Sequence, residues 1–350
     1  GAELDDTTRD LIGRIAAARA NVAQLQGQTE IILVQARRAL EYLHPNNLGD
    51  RSMAIRSMGF AYYLQENMTE AGRAYAEALS LGQASGDIIN ILLASIRLGQ
   101  VQETGNQLHL AAETYQRVLQ RIDEYSPPNA PLAYLGLASI RYEWNDLNAA
   151  GQYGEQSLQL ARQYDQVIDR LILSELFLAQ LKLARRDAIG AALILSQTEQ
   201  TARQKNHTLR LPDIAYAQAM IHLHQGNVDE AAQLARRYKL PLMQTRVLIA
   251  QGDLAAALAA LEPLREQAEV RGLADRLLLV MVVQSIALYA NGEKEKAVEL
   301  IGEVLAQAEP EGFIRTFVDE GAPMKQLLLE IASRGIMPAY SGKLLAAFEA

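Results

Sequence analysis

One spacing constrains this chain more than any other property. A helical stretch, a short polar break and a second helical stretch return about every forty residues. Marking each repeat by the residue in the first turn of its second stretch gives Ile32, Ala71, Ala111, Ala150, Ala191, Ala231, Ala257 and Ala297, at spacings of 39, 40, 39, 41, 40, 26 and 40. Twelve residues upstream of these stand Ala20, Gly59, Gly99, Ala138, Ala179, Ala219, Thr245 and Ser285, all small. Four residues upstream stand Gln28, Asn67, Gln107, Asp146, Asp187, Asn227, Asp253 and Glu293. All are polar, and Asn and Asp among them accept from the open N–H groups of a helix start. Just before them come Gly27, Glu66, Asn106, Asn145, Arg186, Gly226, Gly252 and Gly292, mostly residues that tolerate the left-handed turn ending a helix. A small residue on each helix lets the two approach closely across a tight turn. One such hairpin cannot cover its own apolar faces, so about eight of them are expected to stack into an all-α, α-α superhelix.

The small, small, cap arrangement resembles tetratricopeptide repeats, most clearly over 52–83, where Ile55, Met58, Gly59, Tyr62, Ala71, Tyr75 and Ala78 take the apolar or small positions of that motif. The 26-residue step around Leu240-Pro241 predicts a shortened pair. Pro45, Pro127, Pro128, Pro131, Pro212 and Pro241 fall between units, where no helical hydrogen bond is lost, whereas Pro263 lies inside a second helix and is expected to kink it. The period fails after residue 308. Residues 1–308 are therefore assigned to the repeats and 309–350 to a C-terminal helical cap or connector.

Composition narrows the function. The chain has 350 residues, 49% of them hydrophobic, with 55 Ala against 23 Gly and 10 Pro, which favours helix. A net charge of −8 makes it a poor partner for a phosphate backbone. The absence of Cys excludes disulfides, thiolate metal sites and Cys nucleophiles, and suits a cytoplasmic setting. The longest strongly apolar stretch, 277–290, is too short to span a bilayer. The first residue is Gly, and the chain is expected to be a piece of something longer. No P-loop, HExxH, GxGxxG or GxSxG motif occurs. His222 and His224 are spaced i, i+2, which on a helix points them to different faces and makes no metal pair. Asp5-Asp6 and Asp123-Glu124 read as solvated surface. No enzyme, metal site or cofactor is expected.

A helical solenoid offers a groove lined by its first helices. Tetratricopeptide-like geometry would direct Arg56, Phe60, Tyr63, Gln100, Glu103, Ser139, Tyr142, Gln180, Tyr216, Met220 and His224 inward, a mixture of rings, amides and charges suited to a small polar effector or a peptide. Trp144, the sole Trp, is expected to wedge a seam between hairpins.

Two strings go beyond the repeat pattern. Tyr142-Glu143-Trp144-Asn145-Asp146-Leu147, leading into Ala149-Ala150, resembles the central repeat of the large MalT-like, LuxR-type transcriptional activators. Glu311-Gly312-Phe313-Ile314-Arg315-Thr316-Phe317-Val318-Asp319-Glu320-Gly321 resembles the segment those proteins carry after their repeats. Gln24-Leu25-Gln26-Gly27 with Ala36-Arg37-Arg38-Ala39-Leu40, and Val247-Leu248-Ile249-Ala250-Gln251-Gly252-Asp253-Leu254, extend the match. The resemblance implies a bacterial, cytoplasmic signal-transducing ATPase. In that family a nucleotide-binding module precedes the repeats and a LuxR helix-turn-helix follows them. The repeat region of the family's maltose regulator binds the inducer sugar. ATP and DNA would thus be bound only by domains outside these residues. For the repeats the resemblance implies sensing of a small polar effector or a regulatory protein, coupled to activation. A tetratricopeptide-type protein–protein adaptor without a small-molecule ligand is the alternative.

Overall fold

Helix formation follows from the columns. Asn67, Asp146, Asp187 and Asp253 each cap a second helix by accepting from the backbone N–H three residues on, at 3.2, 3.1, 2.8 and 3.2 Å. Gln28, Asn227 and Glu293 stand at the same position without a side-chain cap bond. The longer Gln and Glu side chains suit this bond less well, and the Asn227 amide instead donates to Gln225. Asp5 is more than solvated surface: it caps the first helix by accepting from the Thr8 N–H at 2.9 Å. All eight residues before the cap column have positive φ, Glu66 at 58° and Arg186 at 64° included. The turn geometry is therefore kept even where the residue is neither Gly nor Asn.

The computed structural model describes residues 5–24, 26–125, 130–163 and 168–349. The expected connector residues Pro127 and Pro128 and the string residue Leu25 lie outside them, as do the side chains of Asp123 and Glu124. Among the described residues there are helices and no strands. Eight consecutive helix pairs run α1(Asp6–Gln24)/α2(Thr29–Tyr42), α3(Leu48–Leu64)/α4(Met68–Ser85), α5(Ile88–Thr104)/α6(Leu108–Tyr125), α7(Ala130–Glu143)/α8(Leu147–Gln163), α9(Ile168–Ala184)/α10(Ala188–Gln204), α11(Leu211–His224)/α12(Val228–Arg237), α13(Pro241–Gln251)/α14(Leu254–Arg271) and α15(Ala274–Ala290)/α16(Lys294–Ala308). The short step of the period resides in α12 and α13, of 10 and 11 residues. Pro263 sits inside α14, which continues through it.

The chain divides into two compact units: 1–133 with 271–273, and 134–270 with 274–350. In the first, α2 packs on α3 and α4 on α5; in the second, α8 packs on α9, α10 on α11 and α12 on α13. The residues that mark the repeat are fully buried throughout, Ile32 included, and the small column twelve residues upstream is buried with them. At Gly59 and Gly99 the close neighbour is an aromatic ring four residues beyond the repeat marker. A Cβ on Gly59 would stand 2.8 Å from the Tyr75 ring, and one on Gly99 2.6 Å from that of Tyr115. The apolar stretch 277–290 is part of α15, buried from Val280 to Ala287. No helix among the described residues is long and apolar enough to cross a membrane.

After the eighth pair come a 3-10 turn, Glu309–Glu311, and three helices, α17(Arg315–Val318), α18(Ala322–Ser333) and α19(Pro338–Ala347). The middle one, α18, packs on α15 and α16. Phe317 of α17 is fully buried, with the Tyr340 ring edge-on to it at 6.3 Å.

Candidate functional site

The C-terminal segment 311–320 lies on first helices of the second unit, and the two strings that stood out in the sequence meet there. The Ile314 N–H donates to the carbonyl of Glu143 at 2.8 Å. The Glu143 carboxylate accepts from the N–H and the hydroxyl of Thr316 at 3.1 and 2.9 Å. Tyr142 donates its hydroxyl to Asp319 at 2.7 Å. Arg315 lies over the Tyr142 ring, 5.2 Å from its centroid, and is paired with Asp319. Trp144 donates its indole N–H to the carbonyl of Glu311 at 2.8 Å, and Arg141 covers its ring. Trp144 therefore holds the C-terminal segment. The approach is close: a Cβ on Gly312, whose φ is +75°, would come 3.2 Å from that indole.

The far end of the segment is held by α11 and α13. Arg246 and Glu320 form an ion pair less than a tenth exposed on either side. Arg246 also donates to the Tyr216 hydroxyl at 2.8 Å. Tyr142 and Tyr216, at the centre of the expected groove, are thus both engaged by the adjacent acids Asp319 and Glu320, directly in one case and through Arg246 in the other.

This clasp shifts its own titrations. Burial, aided by the nearby Asp319 carboxylate, pushes Glu143 up to about 7. Burial likewise raises Asp319, although Arg315 and Tyr142 act against it. The Tyr142 hydroxyl is held far above its ordinary value by burial and by Asp319. Burial opposes the charge of Arg246, but Glu320 and Tyr216 outweigh it and raise that guanidinium. The paired charges bind the segment, and the raised carboxyl groups of Glu143 and Asp319 are the ones that can take up a proton. No group of three potential metal ligands occurs among the described residues.

The remaining expected groove residues separate by unit. In the second, Ser139 is half-buried and Gln180 exposed. Met220 packs against the Ala219–Ala235 cluster, and its carbonyl lies 2.8 Å from Nδ1 of exposed His224. In the first, Arg56 is buried between Asn21 and Asn90. Arg97 lies 4.9 Å over the Phe60 ring and donates to Gln100 at 2.8 Å. Glu103 accepts from the Tyr115 hydroxyl, and Tyr63 is half-buried. The inward-position rule left out Glu143, Arg246, Arg315, Thr316, Asp319 and Glu320. The signal for all but Arg246 was the two distinctive strings.

A family model described as the MalT-like TPR region matches residues 13–334. The chain is 23% identical over 338 residues to the HTH-type transcriptional regulator MalT of Yersinia enterocolitica, covering 92% of this chain and 37% of that protein. It is 22% identical over 349 residues to the regulator of the same name from Serratia proteamaculans, covering 95% and 38%. The chain thus spans under two-fifths of the length of these curated relatives. Among solved structures, a Rap protein complexed with competence and sporulation factor matches with a TM-score of 0.69 at 12% identity, covering 96% of this chain and 98% of that one. The Rap conjugation gene regulator of plasmid pLS20 in complex with the Phr* peptide matches with a TM-score of 0.61 at 11% identity, covering 95% and 96%. At these identities the likeness is one of fold, the tetratricopeptide-like helical solenoid.

Proposed function

The chain belongs to the MalT-like TPR region family, and from that premise we propose that it is the signal-sensing repeat region of a bacterial, cytoplasmic transcriptional activator. It binds an effector, a small polar molecule or a regulatory protein, on its first helices and couples that binding to activation. ATP and DNA are handled by other domains of the parent protein. The observation that supports this best is the clasp. The segment that follows the repeats is held by Tyr142, Glu143, Tyr216 and Arg246, side chains of the first helices α7, α11 and α13, the helices that would carry the effector. An effector that favours one arrangement of this face over another shifts the whole protein toward that arrangement. Equal affinity for both would switch nothing.

The test is made in the full regulator. Tyr142→Ala and Tyr216→Ala are compared with an exposed change, Gln83→Ala, for effector binding and promoter activation together. The reading expects the tyrosine variants to change activation while Gln83→Ala does not. Variants that fold, bind and activate as wild type would remove the coupling. A cellular protein that co-purifies through this surface, with no small molecule bound, would establish the adaptor instead.

A further inference from the structure

The inner face of the first unit carries a cationic cluster that the clasp does not touch. Arg56 is 7% exposed, yet no carboxylate lies within ion-pair distance of it among the described residues. Its partners are two neutral amides. Its Nε donates to the Asn90 side-chain oxygen at 3.4 Å and its Nη2 to that of Asn21 at 3.0 Å. Asp87 acts on it one step removed, because its carboxylate accepts from the Asn90 amide at 2.8 Å. Burying a guanidinium without an ionic partner is unfavourable. Burial and the neighbouring charge of Arg97 accordingly push Arg56 down to about 10.

Three further features converge on the same place. Arg97 is half-buried on the next first helix, also without a carboxylate partner among the described residues, and is held in place by the Phe60 ring and the Gln100 side chain. The Tyr75 hydroxyl is completely buried without a hydrogen-bond partner, within electrostatic reach of both guanidinium groups. The surrounding amides are already ordered: Gln24 donates to Asn21 at 3.3 Å and to Ser57 at 2.7 Å. Two like charges and an orphaned hydroxyl, braced by amides whose oxygens already accept from Arg56, form in a chain of net charge −8 a preorganised donor set lacking an acceptor with negative charge.

We propose that Arg56 and Arg97, with Asn21, Asn90 and the Tyr75 hydroxyl around them, form an oxyanion-binding site for a carboxylate or phosphoryl group of the effector. This deepens the sensor reading and rests on it for the word effector. The half-buried Arg97 and Phe60 form the approach, and the buried Arg56 supplies the charge that is not otherwise neutralised. Both candidate groups offer planar or tetrahedral oxygens that match a guanidinium fork.

The experiment measures the midpoint of thermal unfolding of the intact chain with inorganic phosphate, succinate or chloride at matched ionic strength. A ligand of the native state raises the midpoint saturably. Excluded anions also stabilise, without saturating, and Arg97→Gln retains that background. The site predicts a saturable rise with phosphate, succinate or both, and the pattern tells a phosphoryl ligand from a carboxylate. Arg97→Gln should weaken the binding by about tenfold or more, the loss of one charge-assisted bond, and the exposed Arg117→Gln should not. If Arg56→Gln fails to fold, Arg97→Gln carries the test alone. No saturable rise with either anion, or equal rises in wild type and Arg97→Gln, would overturn the site. Neither outcome touches the sensor reading, whose test is activation through Tyr142 and Tyr216.

Discussion

Glu143 is a carboxyl group whose titration reports the clasp. It lies beneath Thr316, and burial with the nearby Asp319 carries it from an ordinary 4.5 to about 7. Between those values the native state holds a proton that the unfolded chain has released. Stability therefore falls as pH rises through that window, being complete below the unfolded value and lost above the native one. The raised Asp319 contributes with the same sign. Urea midpoints measured at about pH 5 and about pH 8 should drop more for wild type than for Glu143→Gln, and parallel drops would show that Glu143 is not what titrates. The Arg246–Glu320 pair gives a second expectation. Glu320→Gln leaves a buried guanidinium without its counter-charge and should cost about 3–5 kcal/mol, while replacing both partners by Met should cost much less. Chemical denaturation of the two variants checks the order; equal losses would mean that packing, not charge, dominates the contact.

At the scale of the helix pair, the small column is a steric requirement with a named cause. Gly59→Leu must displace the Tyr75 ring, which already stands 2.8 Å from where a Cβ would be. A loss of about 1–3 kcal/mol is expected, against almost none for Gln83→Leu on the exposed face of α4. An unchanged urea midpoint for Gly59→Leu would show that the hairpin can repack. The repeat, its caps and its left-handed turns were readable because each is local, set by residues within a dozen positions of one another. The ring behind Gly59 escaped because the column told only that the site is small, not what fills the space. The clasp was half readable. Both of its strings were conspicuous, but Tyr142 and Asp319 are 177 positions apart, and no periodicity links a repeat to a segment outside the period. Arg246 had no signal of its own, because an Arg on a first helix reads equally well as surface.

At the scale of the whole molecule, the two units are stabilised alike in their hairpins but differ in what covers their first helices. In the second unit the covering is the chain's own 311–320 segment. Half-exposed Thr316 and Glu311 make polar contacts there, while Phe313, Ile314 and Phe317 are buried. The hairpins are locked through columns of fully buried small side chains. A short segment outside the repeating hairpins can open as a local unit at lower free energy than the hairpins it covers. The sole Trp reports this opening, since Trp144 donates to Glu311 and packs beside Gly312. As urea is added, its emission should shift to the red before helicity is lost at 222 nm, and Glu320→Gln should move the early transition further than the late one. A Trp144 transition that coincides with loss of helix in both proteins would make the clasp an inseparable part of the fold, with no separate opening for an effector to bias.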